Sequence, residues 1–589
     1  MFPSTLDPNA SPAPLPRGAA AESPRRSWDP GNMRFGFARA LGRSRIVISA
    51  AVTCVALSAA AEPASLEYDA SATRIAAELV RDGGRNGEGL VSFYRARGFA
   101  PLWTGNDRAS RERLRVLHGG LAQVEAHGLP AERFDPELLR GFLRQGIDQR
   151  SLAEAEVAIS RLYLSLARAL SSGTVDPKSV DGAMKRTVRS RTADELLALV
   201  DGPNPGLGFR TLAPVSVEYA ALFREKHRLQ AVVSAGERAI STARGTLRPG
   251  DAGPDVVALR ERLTESGYLG RHLAATYDDD LRDAVRAFQS DMGLEADGIA
   301  GPDTIAALTV PASERLGAVV VAMERERWVS DPRDVGRVIV VNLPEFAARV
   351  FDDGREIFQT RAVVGATDDG KPTPEFSDEM THMVINPSWY VPPGIIKRDY
   401  LPKLQSNPYA LSEYEIRDRS GRPANRASGF RQYTAANFPF SIRQAPGPDN
   451  ALGRVKFMFP NPWSIYLHDT PAKSLFDRDR RAYSSGCVRL ADPFGFARLL
   501  LSAQEADPEA AFQSILQTGR ERRVDLAVPV PVHLLYRTAF ADAKGRVTFR
   551  ADIYGRDAKV LDALERQGVA LAPLRMADRG ALAAGQDAG

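Results

Sequence analysis

Cys487 and His468 are the two side chains in this 589-residue chain whose types and spacing support nucleophilic chemistry. The thiol lies in Tyr483-Ser484-Ser485-Gly486-Cys487-Val488-Arg489-Leu490, with the imidazole nineteen positions upstream. Such a pair can attack an acyl carbon: the sulfur is the nucleophile, and the imidazole lowers its pKa and then protonates the leaving group. The other cysteine, Cys54, sits in an apolar N-terminal run that reads as removable. A mature exported chain with a single cysteine cannot form an internal disulfide, so Cys487 is not a staple. The competing reading is a small buried hydrophobe. Burial alone requires none of the neighbouring Gly486, the serine pair or Arg489.

Several elements must hold this pair. Trp463-Ser464-Ile465-Tyr466-Leu467-His468 alternates with period two, which predicts a strand with Ile465 and Leu467 on one face and Ser464, Tyr466 and His468 on the other. From about residue 335 the pattern is β-rich, and Asp352-Asp353-Gly354 between Val350-Phe351 and Ile357-Phe358 predicts a hairpin. Residues 70 to 240 instead carry helical stripes, such as Ile159, Leu162, Leu166 and Leu170, and form a helical scaffold. Residues 246 to 310 read as three short helices, the first starting at Pro254, the second stopping at Gly293 and the third following Gly301-Pro302. The acids Asp278-Asp279-Asp280 lack the Gly and distal Glu of a calcium loop and fit a helix N-terminus better.

The leader concentrates charge. Residues 1 to 61 hold seven arginines against Asp7, Glu22 and Asp29, and the rest of the chain carries equal numbers of each sign. The overall +4 is therefore weak support for a nucleic-acid partner, and none is expected. Arg34, Arg39, Arg43 and Arg45 before Ile46-Val47-Ile48, with Ala59-Ala60-Ala61 beyond, read as an export signal, with Met33 as an alternative start. The uncharged run from 46 to 61 falls short of the roughly 20 residues that span a bilayer, which leaves an uncleaved anchor as the alternative to cleavage.

Arg286-Ala287-Phe288-Gln289 with Asp297-Gly298-Ile299-Ala300-Gly301-Pro302 resembles the three-helix peptidoglycan-binding domain of bacterial wall enzymes. Tyr466-Leu467-His468-Asp469-Thr470-Pro471 followed by Ser484-Ser485-Gly486-Cys487-Val488-Arg489-Leu490 resembles the signature of large periplasmic L,D-transpeptidases with a YkuD-type catalytic domain. The resemblance extends to Asn386-Pro387-Ser388-Trp389-Tyr390-Val391-Pro392-Pro393, to Arg454-Val455-Lys456-Phe457, to Phe93-Tyr94 through Trp103, and to Tyr536-Arg537-Thr538-Ala539 and Asp552-Ile553-Tyr554-Gly555-Arg556-Asp557. Ser484-Ser485 stands where shorter members carry Ser-His, which places the chain in the large subfamily.

The implied architecture is multidomain α + β. It comprises a signal peptide at 1–61, a helical scaffold at 62–245, a three-helix peptidoglycan-binding bundle at 246–311, and a mainly-β catalytic domain at 312–505. A lid insertion covers about 390–455, and a C-terminal extension covers 506–589. In the implied reaction Cys487 attacks the bond before the D-alanine of a tetrapeptide stem. An amine of a second stem then resolves the thioester to a 3→3 cross-link, in the periplasm. His468 is oriented in that family by a backbone carbonyl, so Asp469 need not serve as a third member. Main-chain N–H groups at Gly486 and Cys487 are expected to form the oxyanion hole, with Tyr466 and Ser485 bordering it. Arg489 is expected to hold a stem carboxylate through its planar fork, against the alternative of a surface ion pair.

Donor and acceptor stems are the expected partners, no cofactor or metal is required, and other wall-synthesis proteins stay open as partners. L,D-carboxypeptidase activity, D-amino-acid exchange at the same site, and a non-catalytic wall-binding protein are the alternatives. A zinc peptidase is disfavoured because the seven histidines show no HExxH pairing. A papain-type protease has its cysteine before its histidine, the reverse of this chain.

Overall fold

The computed structural model describes residues 63–571, apart from 83–87, 146–148, 189, 237–244, 272–273, 330–335, 369 and 543. The expected leader, with Met33 and Cys54, lies outside the described residues.

Helices from Pro63–Asp82 to Pro205–Arg210 form the first layer. Their stripes meet in a core that includes Tyr94, Trp103, Leu117, Ile159, Tyr163 and Leu166. Glu156, fully buried, accepts from Tyr94 OH at 2.5 Å and from the main-chain N–H groups of Leu102 (2.6 Å) and Thr104 (2.8 Å). A buried carboxylate is tolerated when its oxygens are saturated with donors in this way. The Phe99-to-Trp103 turn is pinned as a result.

The three expected short helices are Pro254–Glu265, Asp279–Met292 and Pro302–Thr309, around Val256, Leu259, Leu281, Val285, Phe288 and Leu308. Asp278 caps the second by accepting from Leu281 N at 3.0 Å, which explains the acidic run without a metal. The helix ends at Gly293 in the left-handed conformation.

The β half begins with strands β1 (Arg337–Asn342), β2 (Ala347–Asp352), β3 (Arg355–Gly365) and β4 (Phe376–Ile385). Asp353 and Gly354, at φ +46° and +77°, make the two-residue turn of the β2–β3 hairpin, as the Asp-Gly pair predicts. Strands β5 (Trp389–Tyr390), β6 (Tyr414–Arg417) and β7 (Ser441–Gln444) form a separate small sheet in the expected lid. The main sheet resumes with β8 (Val455–Met458), β9 (Leu467–His468), β10 (Ala482–Ser484), β11 (Val488–Leu490) and β12 (Arg522–Leu535). Its order is β10-β3-β11-β9-β8-β4-β12-β1-β2, and the additional β2–β3 pairing closes it on itself. Closure removes the unpaired edges that an open sheet would expose. Val341, Val364, Met383, Phe457, Leu467, Val488 and Val532 fill the interior.

Two expected boundaries shift. β12 lies between β1 and β4, so the catalytic sheet does not end at 505 and residues 506–589 are not merely an extension. The helix Ala312–Trp328, expected in the catalytic unit, instead shares a core with Val217–Ala235 and the C-terminal helix Arg556–Arg566 through Leu222, Leu316, Val319, Val560 and Leu564. Both corrections concern long-range packing, which local periodicity does not encode.

Candidate active site

The register of three adjacent strands builds the site. β11 runs parallel to β9 with Val488 opposite Leu467 and Arg489 opposite His468, and β8 pairs antiparallel to β9 with Lys456 opposite His468. Paired residues share a face and alternate residues switch faces. Leu467, Val488 and Phe457 therefore enter the core, while Lys456, His468 and Arg489 line up on the opposite face with Tyr466 and Cys487 one step along it. The predicted alternation holds from Ile465 to His468, but β9 itself is only two residues long. Ser464 has a left-handed backbone, φ +57°, and the preceding turn is tied by Asn461, whose Oδ1 accepts from Ile465 N and whose Nδ2 donates to Ile465 O.

His468 is 4% exposed, and its Nδ1 faces the main-chain carbonyl of Asp469. That contact makes Nδ1 the protonated nitrogen and leaves Nε2 as the acceptor. The Asp469 side chain turns away, accepting from Arg454 N at 2.8 Å and pairing with Lys473 at 2.6 Å. Among the described residues no carboxylate is hydrogen-bonded to this ring; a carbonyl orients it. Burial, with Arg489 adding repulsion, pushes the imidazole down to about 3.

Cys487 is half-buried, and its Sγ donates to the Ser464 carbonyl at 3.6 Å. The Tyr466 hydroxyl lies between this thiol and the Trp389 indole, and burial holds it well above the ordinary phenol range. Burial also raises the thiol, to about 11, although Tyr466, Arg489 and Lys456 pull the other way. Near neutral pH the thiol and the imidazole on this face are both uncharged. The expected effect of the imidazole was to lower the thiol pKa; burial of the sulfur acts in the opposite direction.

The loop before Cys487 is built by a serine that sequence reasoning did not separate from its neighbour. Ser484, 2% exposed, accepts from Gly486 N at 3.1 Å and donates to Cys487 O at 2.5 Å. Ser485 is exposed and its Oγ accepts from Arg398 of the lid at 3.3 Å. Gly486 adopts φ +121°, which a side chain would strain. Its N–H is engaged by Ser484, so the expected oxyanion donor at Gly486 is already used. Among the described residues no hydrogen bond uses Cys487 N–H, and this is the main-chain donor the loop offers. Arg489 makes no ion pair among the described residues, and its buried Nε has no partner. A guanidinium held without an anion beside a thiol is suited to an anionic ligand.

The lid carries its own core of Trp389, Ile396, Leu404, Ile416, Phe430 and Ile442. It reaches the site at Trp389 and at Arg398.

Fold and site together define a multidomain α + β protein with a thiol and an imidazole on one face of a closed sheet, flanked by an inserted lid. Residues 336–518 match the family model described as "L,D-transpeptidase catalytic domain", residues 88–225 the "Scaffold domain", and residues 252–308 the "Putative peptidoglycan binding domain". The chain carries an L,D-transpeptidase catalytic domain behind a scaffold domain and a peptidoglycan-binding domain. A Haemophilus influenzae protein named "Putative L,D-transpeptidase" is 32% identical over 301 residues, 50% of this chain and 59% of the relative, so the match spans about three fifths of that relative's length. A solved L,D-transpeptidase from Xylanimonas cellulosilytica is 17% identical with a TM-score of 0.16, covering 50% of this chain and all of that one. Another, from Stackebrandtia nassauensis, is 16% identical with a TM-score of 0.19, covering 50% and 97%.

Proposed function

We propose that this protein, exported to the periplasm, forms 3→3 cross-links in peptidoglycan through a thioester on Cys487. The observation that carries this reading is the shared sheet face of Cys487, Tyr466, His468 and Arg489, fixed by the β9–β11 register. Cys487 Sγ attacks the carbonyl carbon between the third stem residue and the terminal D-alanine as its proton passes to His468 Nε2. The S–C bond forms, the tetrahedral carbon expels the amine, and His468 returns the proton to the departing D-alanine. The side-chain amine of a second stem then attacks the thioester, loses a proton to Nε2, and releases Cys487 as the thiol. The unpartnered Arg489 takes a carboxylate of the donor stem. The lid limits water at the thioester and so favours the amine over hydrolysis.

Incubating the purified protein with disaccharide-tetrapeptides tests this reading. Wild type releases D-alanine and forms cross-linked dimer, whereas Cys487→Ala does neither. Equal D-alanine release from the variant would remove the nucleophile from the account, and release without dimer would favour the carboxypeptidase reading.

A further inference from the structure

The Gly486–Cys487 peptide unit is held at its carbonyl, and the hold originates outside the Ser484–Leu490 segment. Thr373, fully buried in the segment between β3 and β4, donates its hydroxyl to Gly486 O at 2.7 Å and accepts from Gly365 N at 2.9 Å. The assignment is forced: Gly365 N–H can only donate, so the single Thr373 proton goes to Gly486 O. Gly486 O and Cys487 N–H belong to one trans peptide plane and point in opposite directions. Fixing the oxygen therefore aims the N–H, the donor that the loop leaves unpaired. A donated hydrogen bond at the carbonyl also polarises the unit and strengthens its N–H as a donor.

Thr373 is itself clamped by the C-terminal segment. The Tyr554 hydroxyl donates to Gly365 O at 2.6 Å and accepts from Thr373 N at 3.4 Å. The Arg556 guanidinium donates to Thr373 O at 2.7 Å, pairs with buried Glu375 at 3.2 Å, and lies over the rings of Tyr536 and Tyr554. Glu375 also pairs with Arg325 at 2.7 Å, and its backbone bonds to the scaffold at Ala183 and Lys185. The packing of scaffold, C-terminal segment and Thr373 thus converges on one peptide plane.

We propose that Thr373 is a positioning residue for the oxyanion donor, with Tyr554 and Arg556 as its support. The proposal rests on acyl transfer at Cys487 as described above. It requires that Thr373 matter for attack on a carbonyl, where negative charge develops on oxygen, and not for attack on an alkyl halide, where none does.

The test compares two reactions of the same sulfur by intact mass: acylation by a carbapenem, whose ring carbonyl must pass through an oxyanion, and alkylation by iodoacetamide. Thr373→Val should slow acylation about 10- to 100-fold, somewhat less than full loss of an oxyanion donor. Alkylation should stay within about twofold of wild type, the scatter expected of a site whose thiol environment is kept. Thr373→Ser, which keeps the hydroxyl, should restore acylation. Tyr554→Phe removes a supporting bond without touching the loop and should show a smaller loss of the same selective kind, which keeps the test decisive if the valine variant does not fold. Unchanged acylation in the folded variants, or a parallel fall in both reactions, overturns the positioning role. A wild-type protein that is alkylated but never acylated overturns the acyl-transfer reading and the positioning role together.

Discussion

The resting protonation state of the thiol gives the sharpest prediction. Burial places the Cys487 thiol at about 11 and the His468 imidazole at about 3, so between those values sulfur keeps its proton and the ring stays neutral. The sign follows from desolvation, which penalises thiolate and imidazolium alike. A thiol with a pKa of 11 is about one part in a thousand thiolate at pH 8. An enzyme with a standing ion pair would be nearly all thiolate there. The assay is the second-order rate of iodoacetamide alkylation of the substrate-free protein from pH 5 to 10, with thiolate absorbance near 240 nm as a direct check. Log rate should climb with roughly unit slope across the range and absorbance should stay low until the alkaline end. Arg489→Met should steepen the deficit, because the guanidinium lowers the thiol. A plateau established by about pH 6 would instead show the proton already on His468 and a standing ion pair.

Other consequences follow from particular contacts. Arg489→Met should raise KM for tetrapeptide by about 10-fold or more, from the roughly 1.5 kcal/mol of a charged hydrogen bond, with a smaller effect on kcat; a pure kcat loss would contradict a carboxylate grip. Phe430→Ala removes a ring that packs against Tyr433, Phe438 and Phe440, and should cost the lid about 3–5 kcal/mol. Free tripeptide should then rise relative to dimer, and an unchanged ratio would remove the lid from water control. His127, beside Tyr219 and held down to about 4 mainly by burial, should make the scaffold acid-sensitive. Because its folded pKa lies below the unfolded value of 6.5, the unfolded chain takes the proton first, and up to about 3 kcal/mol is lost as pH falls from 6.5 to 4. Urea midpoints at pH 7 and 4.5 should converge less in wild type than in His127→Gln; equal shifts would acquit this residue.

Much of the site was legible because period-two alternation and residue type are local properties. Ile465 and Leu467 went to the core, Tyr466 and His468 to the other face, and Asp353-Gly354 made its turn. The three helices around Phe288 were equally plain. Illegible were features set by partners far along the chain. β12 sits between β1 and β4 because of pairings well over a hundred residues apart. Lys456 reaches the row beside His468 only through the β8–β9 register. Ser484 and Ser485 look alike in sequence, yet one is buried under the catalytic loop and the other faces the lid. Thr373, more than a hundred residues from Gly486, offered no motif at all; only Tyr554-Gly555-Arg556, singled out by resemblance, marked the segment that supports it.

In the proposed reaction Cys487 joins two stems through their third residues. Mass spectrometry of muropeptides from sacculi incubated with wild type and Cys487→Ala measures it most directly. New dimers with a 3→3 bond, accompanied by free D-alanine, should appear in the wild-type digest alone. Dimers of unchanged linkage, or 3→3 dimers appearing equally with Cys487→Ala, would contradict it.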